Sequence, residues 1–118
     1  MHTVMDKLAC TGAALWIAAA FLPLSTGAYA QQAVSVQIAV KNQRFEPSEI
    51  HAPANRPIVL NIRNLDPKAI EFESVSLRVE KVIAANSQGV INLRPLQPGR
   101  YTFFDDFHPE TRGTLLVQ

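Results

Sequence analysis

Sulfur is nearly absent from this chain. Its 118 residues include one cysteine and two methionines, and all three, Met1, Met5 and Cys10, fall within the first thirty positions. Those thirty read as a secretory signal peptide. Lys7 precedes an apolar run from Leu8 to Leu22, and Ala28-Tyr29-Ala30 supplies a small-residue cleavage site, so cleavage is expected after Ala30. The run is shorter than the roughly 20 apolar residues that span a bilayer. The mature protein is therefore expected to have no membrane span, with residues 31–118 as its one domain. Cys10, so early in the run, does not resemble a lipoprotein cysteine. From Gln31 onward no disulfide can form, whatever the compartment, and no soft sulfur ligand is available. A structural zinc site of the Cys/His kind is excluded too.

Charge of one sign is also lacking. Eleven Lys+Arg stand against ten Asp+Glu, which gives no electrostatic footprint for nucleic acid. Sustained helical periodicity, repeats and low-complexity tracts are missing beyond residue 30. So are a nucleophilic triad and a phosphate-binding glycine loop.

What is present is alternation. Val34-x-Val36-x-Ile38-x-Val40 reads as a half-buried strand. Extended pieces follow at Glu49–Ala52, Pro57–Ile62, Ile70–Glu73, Leu77–Val82, Val90–Leu93, Tyr101–Phe104 and Gly113–Val117, separated by turn clusters such as Pro53-Ala54-Asn55 and Asn86-Ser-Gln-Gly89. Seven or eight short strands in under a hundred residues predict an all-β fold, a Greek-key antiparallel β-sandwich preceded by a signal-peptide helix. Leu96-x-Pro98-Gly99-x-Tyr101 fits a tyrosine corner, whose hydroxyl bonds back to nearby backbone. An ordinary turn followed by a core aromatic would serve equally.

The C-terminal segment from Gly99 to Val117 resembles the copper-binding end of a cupredoxin. The pattern there is Pro-Gly-x-Tyr-x-Phe-x-Cys-x-x-His, a loop carrying Met, then Gly-Thr-hydrophobic. In this chain Asp105 occupies the Cys slot, His108 is retained, and Thr111 or Arg112 stands in the Met slot. The first His slot, six residues after Asn64, is Ile70. Together with Phe45-Glu46-Pro47-Ser48-Glu49-Ile50, Asn64-Leu-Asp66, Ala69 to Ser74 and Glu80-Lys81-Val82-Ile83, the chain is similar to the cupredoxin-like domains of bacterial periplasmic Efe/Ftr-type iron-uptake systems. The resemblance implies a periplasmic cupredoxin-like protein that binds iron or copper(II) and assists iron acquisition. It further implies a membrane iron permease or periplasmic iron-binding protein as partner. A blue-copper (type 1) site needs a thiolate, so blue-copper electron transfer is not expected.

The candidate metal ligands are Glu46, Glu71, Glu73, Asp105, Asp106 and His108. If Ile70 and Phe72 face inward, Glu71 and Glu73 share the opposite face, ~7 Å apart along the strand. Asp105 shares parity with Tyr101 and Phe103 and is expected to aim into the open end of the sandwich. Glu46 follows Phe45 in a corner where the iron-uptake relatives keep a carboxylate. Oxygen donors with one imidazole suit Fe, Mn or Cu(II) over Cu(I), and by charge favour ferric over ferrous iron. Structural readings stand beside these: Glu71 and Glu73 as solvated strand faces, Asp105 paired with Arg112 or capping backbone N–H groups, and His108 as a loop residue. Two other functions remain open: a metal-free interaction module and a ferroxidase.

Overall fold

A computed structural model describes residues 14–20 and 32–118 of the chain. Residues 14–20 are exposed and have no regular secondary structure, and the rest of the expected leader helix lies outside the described residues. Among the described residues no helix is long and apolar enough to cross a membrane.

The domain is an all-β sandwich, as the alternation predicts. It has nine strands rather than seven or eight: β1 Val34–Lys41, β2 Arg44–Glu46, β3 Glu49–Ala52, β4 Ile58–Asn64, β5 Ile70–Ser74, β6 Val79–Ile83, β7 Gln88–Leu93, β8 Gly99–Asp105 and β9 His108–Val117. The added strand is β2. Asn42 and Gln43 adopt positive φ (53° and 58°), and this turn folds Phe45 back opposite Val40. One sheet runs β2-β1-β4-β7 and the other β3-β9-β8-β5-β6. Most pairings are antiparallel, but β1 with β4 and β3 with β9 are parallel, so both sheets are mixed. The chain leaves the first sheet after β2, adds β3 to the edge of the second, and returns as β4 beside β1, which imposes the parallel pairing.

Alternation sets the core. Val36, Ile38 and Val40 meet Ile58, Leu60 and Ile62 within the first sheet, and Ile70, Phe72, Phe103, Leu115 and Val117 face them from the second. At the centre Phe103 packs edge-on to Phe45 (4.9 Å, 86°) and stacks on Phe72 (4.9 Å, 29°). These geometries favour aromatic quadrupoles beyond the area they bury. Gly113 lets Phe103 in: a Cβ there would lie 2.4 Å from the Phe103 ring and 3.0 Å from the Ser48 carbonyl oxygen. The tyrosine corner is present, with the Tyr101 hydroxyl donating to the Gln97 carbonyl at 2.8 Å.

Several strands run a residue or two beyond their expected bounds, and two spans differ more in kind. Leu77 and Arg78 belong to the β5–β6 turn, where the Arg78 N–H donates to the Val75 carbonyl and Arg78 takes φ 56°. The expected loop after Asp105 shrinks to the two-residue turn Asp106-Phe107, because β9 starts at His108, directly opposite Asp105.

Candidate functional site

The C-terminal hairpin and strand β5 place every candidate ligand except Glu46. Because Ile70 and Phe72 are buried, Glu71 and Glu73 point to the outer face of the five-stranded sheet. Asp105, on the inward parity of β8, is fully buried. The six candidates accordingly separate by face.

Asp105 and His108 lie on the inner side, at the open end of the sandwich. Asp105 Oδ1 accepts the backbone N–H groups of Glu71 (2.9 Å) and Phe107 (3.0 Å), and Oδ2 lies 3.0 Å from His108 Nδ1. Of the two structural readings for Asp105, backbone capping is the one realised. Arg112 instead turns outward and donates its Nε–H to the Pro109 carbonyl. A carboxylate in apolar surroundings requires such donors, and β5 and the turn that follows Asp105 supply one each. His108 is half-buried; with Nδ1 directed at Asp105, Nε2 is the nitrogen left for other partners. His108 is thus the first residue of β9 and no loop residue.

Of Thr111 and Arg112, Thr111 is the buried one and donates its hydroxyl to the Gln43 carbonyl at 2.7 Å. Ile70, in the first His slot, is part of the core. Ile70, Asp105 and His108 line one cavity of ≈ 280 Å³ with Asn42, Gln43 and Asp66. At this end Asp105 and Thr111 are engaged in hydrogen bonds and Ile70 in apolar packing.

The Asn64–Asp66 segment, which leaves the end of β4, braces this end. Buried Asp66 accepts the N–H groups of Asn42 (2.6 Å) and Gln43 (2.8 Å), holding both left-handed residues of the β1–β2 turn. Asn64 accepts the Asp66 N–H and donates its amide to the carbonyls of Lys68 and Ala84. The available signal was Asn-x-Asp-Pro directly after an apolar strand, since short polar side chains bond nearby backbone.

Glu71, Glu73 and Asp106 form a second group on the outer face. One carboxylate oxygen from each lies within 4.8 Å of the others. Glu80 joins them from β6, directly opposite Glu73. The Asp106 N–H donates to the Glu71 carbonyl at 2.8 Å, which fixes the hairpin turn against β5. Ion pairs among the described residues link Glu49 to His51 and Arg100, and Asp105 to His108; none reaches this group. The setting raises the affinity of Glu71 and Glu73 for protons. Glu71 is pushed above the ordinary range first by a proton-sharing contact with Glu80, then by partial burial and by the charges of Glu80, Asp106 and Glu73. Glu73 is pushed up by partial burial and by the charges of Asp106 and Glu80. A cation between them would relieve that repulsion.

Glu46 joins neither group. It is exposed at the end of β2, in a groove with Arg44, Glu110 and Arg112.

A family model described as a cupredoxin-like domain matches residues 12–117. An uncharacterized protein of Rickettsia prowazekii (strain Madrid E) is 38% identical over 85 residues, covering 71% of this chain and 68% of that protein. Among solved structures, the metal binding domain of the Streptococcus pneumoniae D39 Cu(I)-exporting P-type ATPase CopA, with Cu(I), is similar at TM-score 0.64 and 16% identity. That likeness covers 75% of this chain and 97% of that one. Auracyanin A, a "blue" copper protein from Chloroflexus aurantiacus, gives TM-score 0.62 at 10% identity over 74% of this chain and 100% of its own. A copper binding protein in the apo form gives 0.64 at 15% identity, over 75% and 97%. Identities this low show a shared fold. With the family match spanning nearly its whole length, the chain belongs to the cupredoxin-like domain family.

Proposed function

We propose that this protein is a periplasmic metal-binding accessory of an iron-uptake system, and that it takes iron or copper(II) on the outer-face carboxylates. The observation that carries the reading is the convergence of Glu71, Glu73 and Asp106, which no ion pair among the described residues reaches. Three carboxylates give a hard, anionic oxygen set, which suits Fe(III), Mn(II) or Cu(II) and disfavours Cu(I). Such a set holds ferric iron more tightly than ferrous iron by charge alone, and so would keep iron oxidised during hand-over to a membrane permease or a periplasmic iron-binding protein. Membership in a family with copper-binding structural neighbours supports a metal-related role. The leader read from the sequence supports export.

Calorimetric titration of the purified protein with Fe(III) and Cu(II) tests this. Saturable binding tighter than millimolar, lost in Glu71→Gln/Glu73→Gln and kept in His108→Ala, is expected. Binding no tighter than millimolar for either ion would overturn it.

A second reading, a metal-free interaction module, is favoured by one observation. Both oxygens of Asp105 and the hydroxyl of Thr111 are already engaged within the chain, while Leu65 and Phe107, next to cavity residues Asp66 and His108, remain 42% and 49% exposed. In that case neither ion binds, and the open end docks a partner through its apolar rim.

A further inference from the structure

The sandwich is also open along the seam between β6 and β7, the edge strands of its two sheets. A cleft of ≈ 360 Å³ sits there, and its size falls within the ~300–1,000 Å³ of small-molecule sites. Its lining is mixed: Leu77, Val79 and Leu96 are partly buried against the core and Leu93 belongs to it, while Ser76 and Asn92 are polar. Two guanidinium side chains, Arg78 and Arg94, stand on its walls, and no carboxylate lines it. Among the described residues neither Arg has an ion-pair partner or a side-chain hydrogen bond. Arg78 is moreover held in the left-handed region, φ 56°, which side chains of its size rarely adopt.

We infer that this cleft binds a small aliphatic carboxylate, with its chain on the leucine and valine floor and its head group at Arg78 and Arg94. Charge selects the head: two fork-shaped cations with no internal acid match a carboxylate, which guanidinium binds in bidentate fashion. The floor selects the tail, because a polar anion would leave apolar surface in water. The cleft lies on β6, β7 and their flanking turns, and its lining includes none of the outer-face carboxylates Glu71, Glu73 and Asp106 and no residue of the cavity containing His108. It is therefore separable from the proposed metal chemistry.

The test is a titration of purified, isotope-labelled protein with octanoate below its micelle concentration, followed by amide NMR shifts. Saturable shifts confined to residues 76–79 and 92–96 are expected. Octanol, with the tail but no charge, and acetate, with the charge but no tail, should each bind roughly tenfold more weakly or worse. Arg78→Gln/Arg94→Gln should weaken octanoate by a similar factor while keeping the dispersed amide spectrum of the folded sandwich. Equal binding of octanol and octanoate, or undiminished binding by the folded double variant, would overturn the assignment. So would shifts that are unsaturable or spread over the whole surface.

Discussion

The backbone of Glu71 is gripped from both sides by consecutive residues of the C-terminal hairpin: Asp105 Oδ1 accepts its N–H at 2.9 Å, and the Asp106 N–H donates to its carbonyl at 2.8 Å. One residue thus belongs to both faces of the site. Its main chain serves the buried Asp105–His108 pair, and its side chain joins the exposed carboxylates.

Asp105 is consequently expected to act first as a structural residue. Asp105→Ala strands the N–H groups of Glu71 and Phe107 and should cost about 3 kcal/mol of unfolding free energy. Asp105→Asn keeps one acceptor oxygen and should cost about 1 kcal/mol. Denaturant unfolding of the three proteins measures both. Equal stability of all three would remove the structural role.

Asp66→Ala should loosen the other side of the same end. It frees the N–H groups of Asn42 and Gln43 and should cost about 2 kcal/mol. Hydrogen exchange at residues 42 and 43 should accelerate more than at the β4 core, which separates local from global opening.

Gly113→Ala tests the packing of Phe103. The added methyl meets the ring at 2.4 Å and the Ser48 carbonyl at 3.0 Å. An overpacked core position of this kind should lose about 2 kcal/mol. Thermal unfolding checks it, and an unchanged midpoint would contradict the close approach.

The outer carboxylates set a pH dependence whose sign is fixed. Glu71 and Glu73 bind protons more tightly folded than unfolded, because their values are raised above 4.5. Folding therefore takes up protons just above that pH, and these residues make stability fall as pH rises through the raised values. Glu71→Gln/Glu73→Gln should be more stable than wild type at neutral pH, with the gap closing below 4.5. Unfolding curves across pH measure it, and a variant less stable at neutral pH would reverse the argument.

Much of the fold is legible in the residues, and the reasons are local. Val34 to Val40 alternates because one face is buried, and the same rule places Glu71 and Glu73 outside and Asp105 inside. The short strand β2 escapes because three residues carry no periodicity, and its existence depends on two left-handed residues held by Asp66 from a distant loop. The parallel pairings escape because alternation specifies faces and leaves neighbours open. The six candidate ligands were all visible as residue types. Alternation separates Glu71 and Glu73 from Asp105, but it does not place Asp106 with the outer pair or His108 beside Asp105, since both depend on the two-residue turn Asp106-Phe107. That turn also draws Asp105, Phe107 and His108 into one hydrogen-bonded cap.

Pulsed electron paramagnetic resonance of the stoichiometric Cu(II) complex tests the central claim most directly, because imidazole nitrogen coupling reports whether histidine is bound. The outer-face site predicts oxygen ligation without imidazole coupling, and loss of the bound signal in Glu71→Gln/Glu73→Gln. Strong imidazole coupling that disappears in His108→Ala would place copper at the open end and contradict the account.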